Sequence, residues 1–218
     1  MVHLSGIKAQ NLTEKGVKTR MKILETAEQL IGEKGYYETS IAEITVKANI
    51  AQGTFYIYFS SKKAVFDELV YQLSSDFRYH IKIAMEKEDT FEAKQRAGFL
   101  AFFEWVTKHR NLYSIVQQAV VVDEKLYRAY YQKIAAGFIT SIGKAMEAGE
   151  CKSLNVETVA YCFMGVGQFI GMRWVVWRDQ LVPNDVFEEA MEILFNGLTH
   201  KGGKKNWRIS RTGYTNEQ

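Results

Sequence analysis

The sequence predicts an all-α protein, with three modest helices at the N-terminal end and a larger helical body behind them. Three observations predict it. Apolar residues recur at three-to-four-residue spacing along most of the 218 residues, and no stretch alternates with the period of a strand. The chain holds a single proline, so long helices run unbroken. Glycine and asparagine fall between the periodic runs, where stops and caps belong.

The first helix is predicted from about Thr19 to Lys34, with Ile23, Leu24, Ala27, Leu30 and Ile31 on one face and Gly35 ending it. Thr39 or Ser40 caps a short second helix, and Ser40 with Glu43 has capping-box spacing. Ile41, Ile44 and Ala48 form its apolar stripe. The chain turns at Asn49, a residue that tolerates positive φ. A third short helix carries Ala51 to Tyr58, and Ser60 or Ser61 offers a cap for a long fourth helix to about Glu86. Further helices follow at about Thr90–Lys108, Asn111–Val122, Glu124–Ala148, Val156–Trp177 and Asp185–His200, punctuated by Gly149, Asn155, Pro183 and Asn184. The tail from Lys201 has no apolar periodicity. This divides the chain into 17–64, 65–200 and a basic segment 201–218.

Charge is unevenly spread. Residues 1–65 carry a net +3, residues 66–200 a net −4 and residues 201–218 a net +4. A basic head on an acidic body suits a protein that offers one end to a polyanion. The two cysteines, Cys151 and Cys162, make no disulfide framework, and four scattered histidines have no metal spacing. No metal and no cofactor is expected. The polar N-terminus has no secretory h-region. The most apolar stretch, Tyr161 to Trp177, is interrupted by Gln168 and Arg173 and is shorter than the ~20 residues of a membrane span. A soluble, cytoplasmic protein is expected, with no membrane partner. Gly165, Gly167 and Gly171 miss the spacing of a dinucleotide loop and follow no strand. With no nucleophile–base pair, metal cluster or phosphate loop, enzymatic activity is not expected.

The informative segment is Gly35 to Lys62: helix, tight turn, second short helix. That is the layout of a helix-turn-helix, whose second helix enters the major groove of DNA. Phe55 and Phe59, four apart, suit the core. Gln52, Gly53, Thr54, Tyr56 and Tyr58 form a polar and aromatic set. Gly53 permits close backbone approach, Thr54 and the tyrosine hydroxyls suit phosphate oxygens, and Gln52 suits a base edge, above all adenine. Lys62, at a helix start, joins its charge to the amide dipole.

Gly35-Tyr36-Tyr37-Glu38-Thr39-Ser40-Ile41-Ala42-Glu43-Ile44, then Gln52 to Phe59 and Lys62, resembles the DNA-binding signature of the TetR family over about residues 19–66. The resemblance implies phosphate contacts from Ser40 or Thr39, Tyr56, Tyr58 and Lys62, with Gln52, Gly53 and Thr54 facing the groove. Asn49 stands where the family usually has glycine, Thr45 where it has alanine, and Ala51 where serine often caps the recognition helix.

Beyond residue 66 the resemblance is one of helix number, length and order. It implies a homodimer closed by the last two long helices. Tyr161, Gly165, Phe169 and Met172 on one, and Phe187, Met191, Leu194 and Phe195 on the other, are expected at that interface, and Gly165 and Gly171 could allow close approach. Two recognition helices about 34–36 Å apart read a near-palindromic operator. The middle helices are rich in aromatic residues, as a small-molecule cavity requires. Phe103, Tyr113, Tyr131 and Met164 are expected in its wall, with Gln117, Gln168 and Arg173 as orienting groups. Arg110-Asn111-Leu112-Tyr113 and the aromatic helix after Val122 loosely resemble the fatty-acid-responsive branch of the family, which implies an acyl or acyl-CoA effector that releases a repressor from its operator. The alternatives are a helical small-molecule carrier or enzyme, and a TetR-like regulator controlled by a protein partner without a small ligand.

Overall fold

The computed structural model describes residues 12–198, the side chain of Leu73 excepted. Within them the chain is helical with no strand: α1 (Glu14–Lys34), α2 (Ile41–Lys47), α3 (Gln52–Tyr58), α4 (Lys62–Met85), α5 (Phe91–Lys108), α6 (Arg110–Val122), α7 (Glu124–Glu147), α8 (Val156–Gly171) and α9 (Asn184–Asn196). The all-α expectation holds, with the small unit preceding the larger one.

Local chemistry sets the ends. Thr13 caps α1 by accepting from the Gly16 N–H at 3.2 Å, so this helix begins earlier than the apolar stripe alone suggests. Gly35 ends it with φ of 96°. Ser40 and Glu43 close the capping box of α2. Asn49 turns the chain with φ of 50°, and Ala51 leaves α3 without a side-chain cap. Ser61, Thr90, Asp123 and Asn155 cap α4, α5, α7 and α8. At the end of α8 a π-turn, Met172–Val176, carries the helix on, with the Trp177 N–H donating to the Met172 carbonyl at 3.0 Å. The 21 residues Val156–Val176 thus have the length and apolarity of a membrane span, which corrects the expectation that this stretch falls short; 28% of its apolar window is buried. Gly197, with φ of 83°, ends α9 before His200. His200 and the tail 201–218 lie outside the described residues.

Two cores hold the chain. The first joins Ile23, Leu24 and Ile31 of α1 to Ile44, Phe55 and Phe59, then passes through Val65, Phe66 and Leu69 to Trp105, Ile115 and Val116. A fully buried aromatic or branched side chain contributes about 1.5–3 kcal/mol, so α3 is anchored by Phe55 and Phe59 and α4 ties it to the body. The buried Arg20–Glu68 ion pair joins α1 to α4, with the Arg20 guanidinium 4.9 Å from the centre of the Phe59 ring. The second core gathers Phe91, Phe99 and Phe103 of α5, Ile142, Phe163, Phe187 and Met191. Gly167 and Gly171 let α8 lie against α5: a Cβ on Gly167 would sit 2.9 Å from the Phe99 ring, and one on Gly171 3.1 Å from Phe102. The close approach expected of Gly171 is therefore internal to the chain.

Candidate nucleic-acid interface and ligand cavity

The seven residues of α3 sort by face. Phe55 and Phe59 point into the core and are buried. Gln52, Gly53, Tyr56 and Ile57, one helical turn apart in pairs, are exposed, Tyr56 at 51%. Thr54 and Tyr58 flank this face half-buried, and Tyr58 packs on the first core. A Cβ on Gly53 would meet nothing within 4 Å, which leaves the backbone there open to a partner. Ser40 is exposed beside its own cap.

Two residues expected to touch phosphate are placed otherwise. Thr39 is buried, and its hydroxyl donates to the Gly35 carbonyl at 2.8 Å. The Lys62 ammonium donates to the carbonyls of Tyr36 at 2.5 Å and Thr39 at 2.6 Å, and lies 4.2 Å from the centre of the Tyr36 ring. Its partial burial lowers its pKa. These carbonyls close the turn between α1 and α2, and the hydrogen bonds they accept from the ammonium offset part of the cost of desolvating it. Lys62 therefore braces the loop. Sequence reasoning passed over Lys47, an exposed cation in the last turn of α2, and Ile57, an apolar side chain left at 61% exposure on the outer face of α3. An isoleucine in a polar set was the available signal.

Between α4, α5, α7 and α8 lies a cavity of about 620 Å³. Tyr113, Tyr131, Met164 and Gln168 line it, together with Phe77, Ile81, Phe99, Phe102 and Ile134. The exposed part of the lining comes from α4 and α7, including Arg78, Lys82, Glu86 and Lys133, with Lys82 paired to Glu86 at 3.5 Å, so the cavity opens between those helices under a rim of three cations and one carboxylate. Burial pushes the Tyr113 and Tyr131 hydroxyls well above the usual phenol range. Three expected cavity residues lie elsewhere. Phe103 is buried in the second core. Gln117 stands behind the wall, its amide donating to the Tyr131 hydroxyl at 3.4 Å. Arg173 lies in the π-turn, 5.8 Å from the Trp174 ring centre. Helical spacing marks an inward face without saying which buried neighbour fills it.

On α8, Tyr161 and Phe169 are exposed, Phe169 at 66%, with Gly165 and Met172 half-buried. On α9 the expectation needs correction: Phe187 and Met191 are buried in this chain's own second core, and Leu194 and Phe195 pack against it. Phe195 meets the rings of Phe91 and Phe163. The outward apolar residue of α9 is Ile193.

Comparison with known proteins agrees with this arrangement. Residues 23–69 match the model of bacterial regulatory proteins of the tetR family. The chain is 36% identical over 205 residues to the uncharacterized HTH-type transcriptional regulator YdgC of Bacillus subtilis, covering 88% of this chain and 98% of that one. Among solved structures, the transcriptional regulator FadR of Bacillus subtilis in complex with stearoyl-CoA superposes with a TM-score of 0.73 at 19% identity, covering 82% and 99% of the two chains. AibR in complex with isovaleryl coenzyme A and operator DNA superposes at 0.67 and 18% identity, covering 81% and 98%. These two show a shared fold. A matched helix-turn-helix, and a relative spanned almost end to end, place this chain in the tetR family of bacterial regulatory proteins, as a DNA-binding transcriptional regulator and not an enzyme.

Proposed function

We propose that the chain is a cytoplasmic homodimeric repressor that reads a near-palindromic operator through α3 and leaves it when an anionic amphiphile, such as a fatty acyl-CoA, enters the cavity. The division into a reading unit at 17–64 and an effector and dimer unit at 65–200 belongs to this reading. The observation that carries it is the exposed face of α3. Gln52 presents a bidentate amide suited to adenine, Ile57 an apolar surface suited to a thymine methyl, and Ser40, Thr54 and Tyr56 hydroxyls suited to phosphate. Burial of Phe55 and Phe59 behind them holds that face in place.

The effector follows from the cavity. Its volume is in the range of small-molecule sites, its walls are apolar, and the charges at its opening, Arg78, Lys82 and Lys133 against Glu86, leave it net positive. A chain-like apolar ligand with an anionic headgroup at the rim matches both, and a fold neighbour was crystallised with stearoyl-CoA. An open cavity favours this over a regulator without a small ligand. Helix α6 touches both ends of the pathway. Tyr113 forms cavity wall, while Gln118 accepts from the Tyr36 N–H at 2.7 Å and donates to the Ile31 carbonyl at 3.1 Å, gripping the end of α1. A ligand that shifts α6 shifts the reading unit, and by linkage DNA weakens effector binding by the same factor.

Footprinting on the protein's own promoter, with palmitoyl-CoA then added, tests this. Two protected half-sites one helical turn apart, lost on addition of the thioester, are expected. No protection, or a single half-site, would overturn the dimeric repressor; protection indifferent to every acyl-CoA would overturn the effector.

A further inference from the structure

The cavity is not uniformly apolar. Towards the start of α5, Gln95 is buried but donates to the Ser141 hydroxyl at 3.1 Å, so that pair is internally matched. At the end walled by α6 the matching is incomplete. Tyr113 is only 5% exposed, and its hydroxyl is shut off from solvent without a hydrogen-bond partner among the described residues. Beside it the Tyr131 hydroxyl donates to Gln168 Oε1 at 3.3 Å and accepts from the Gln117 amide at 3.4 Å, both long bonds. The Gln168 amide lies near enough to Tyr113 to oppose the rise in its pKa.

A plain alkyl chain gives such a pole nothing. A buried phenol with no acceptor is destabilising, and saturated carbons pressed against it do not relieve that. The Tyr113 hydroxyl can accept as well as donate, and the Gln168 amide faces it as a donor, so its unmet role is donation and what it lacks is an acceptor. None of Tyr113, Gln117, Tyr131 and Gln168 is charged, so a carboxylate placed among them would be buried without a cation. The matching group is neutral oxygen.

Resting on the reading of this cavity as an effector site, we propose that the effector carries an uncharged oxygen, hydroxyl or keto, at the buried end of its chain, accepting from the Tyr113 hydroxyl and the Gln168 amide. The headgroup stays at the exposed rim, where Arg78 and Lys133 stand beside the Lys82–Glu86 pair, and the oxygenated end lies against α6. Discrimination comes from the pole: a site built to hydrogen-bond a ligand oxygen rejects the analogue that lacks it. The effector is an oxygenated acyl chain, and its far end touches the helix that grips α1.

The test is calorimetric titration of the full chain with matched pairs: saturated acyl-CoA thioesters from octanoyl to hexadecanoyl, and their terminally hydroxylated counterparts. At one or more chain lengths the hydroxylated member should bind roughly tenfold tighter, the effect of one added hydrogen bond. Tyr113→Phe should erase the difference between the members of each pair, and Gln168→Leu should reduce it. Without ligand, Tyr113→Phe should keep or raise the melting temperature, since it removes the unmatched hydroxyl; this verifies that the variant folds. Equal binding across every pair, a preference for the saturated members, or a preference that survives Tyr113→Phe would overturn the inference while the amphiphile reading stands. Failure of both series to bind would overturn that reading as well.

Discussion

Gln52 stands exposed in the first turn of α3, with Ala51 before it supplying no side-chain cap. Its amide is thus not tied to the helix end and remains available to a base. Gln52→Ala should change sequence preference at one base pair of each half-site, a discrimination of about 1–3 kcal/mol, while non-specific affinity holds; competition among single-base operator variants reads this directly. Glu43 gives a pH signature at the same scale. The Lys34 ammonium, with the Ser40 N–H and hydroxyl, holds its carboxyl at about 2 against an ordinary 4.5. A depressed carboxylate contributes stability that is complete above the unfolded pKa and lost as pH falls through the folded one. Glu43→Ala should therefore lower the melting temperature at neutral pH, and the gap from the parent should close between about 4.5 and about 2. A gap independent of pH would contradict the role given to that cap. Residues such as these were legible because capping boxes and turn asparagines are local chemistry. Lys62 was not, because its partners are carbonyls whose direction depends on how the turn folds.

At the scale of elements, α6 is where the two units meet. Gly32 of α1 faces Asn111 so closely that a Cβ on the glycine would stand 2.5 Å from the Asn111 Cβ and 2.8 Å from its Cα. Backbone cannot yield as a flexible side-chain tip would. Gly32→Ala should destabilise the protein by about 1–3 kcal/mol, measured by denaturant unfolding; a neutral result would mean that α1 and α6 separate readily. Helix type and order were legible from periodicity, and the outward face of α3 from the spacing of Phe55 and Phe59. The ends were less so: Thr13 extends α1 beyond its stripe, and the π-turn of α8 has no compositional mark. The α9 stripe misled for a physical reason. Burial in one's own core and burial against a partner select the same residues, so Phe187 and Met191 could not be told from an interface set until α5 was seen beneath them.

At the scale of the whole molecule, large exposed apolar residues occur along the chain, and Tyr161, Phe169, Trp177, Leu181 and Ile193 lie on its last two helices and the segment between them. Exposed apolar surface of this kind suits an interaction, and a second copy of the chain covers it in the proposed dimer. Phe169→Glu should place a charge there and yield monomers in sedimentation, with affinity for a two-half-site operator falling to that of one half-site. A fully dimeric variant would put the interface elsewhere. Dimerisation matters because it sets the distance between two copies of α3, and everything downstream depends on that helix facing a duplex. The most direct measurement is anisotropy titration of the promoter duplex with the full chain and with Tyr56→Ala across a range of salt. Loss of a phosphate contact from each protomer predicts weaker binding to operator and random DNA alike, with the operator's base preferences intact. Unchanged affinity for both duplexes would mean that another surface of the molecule holds the DNA.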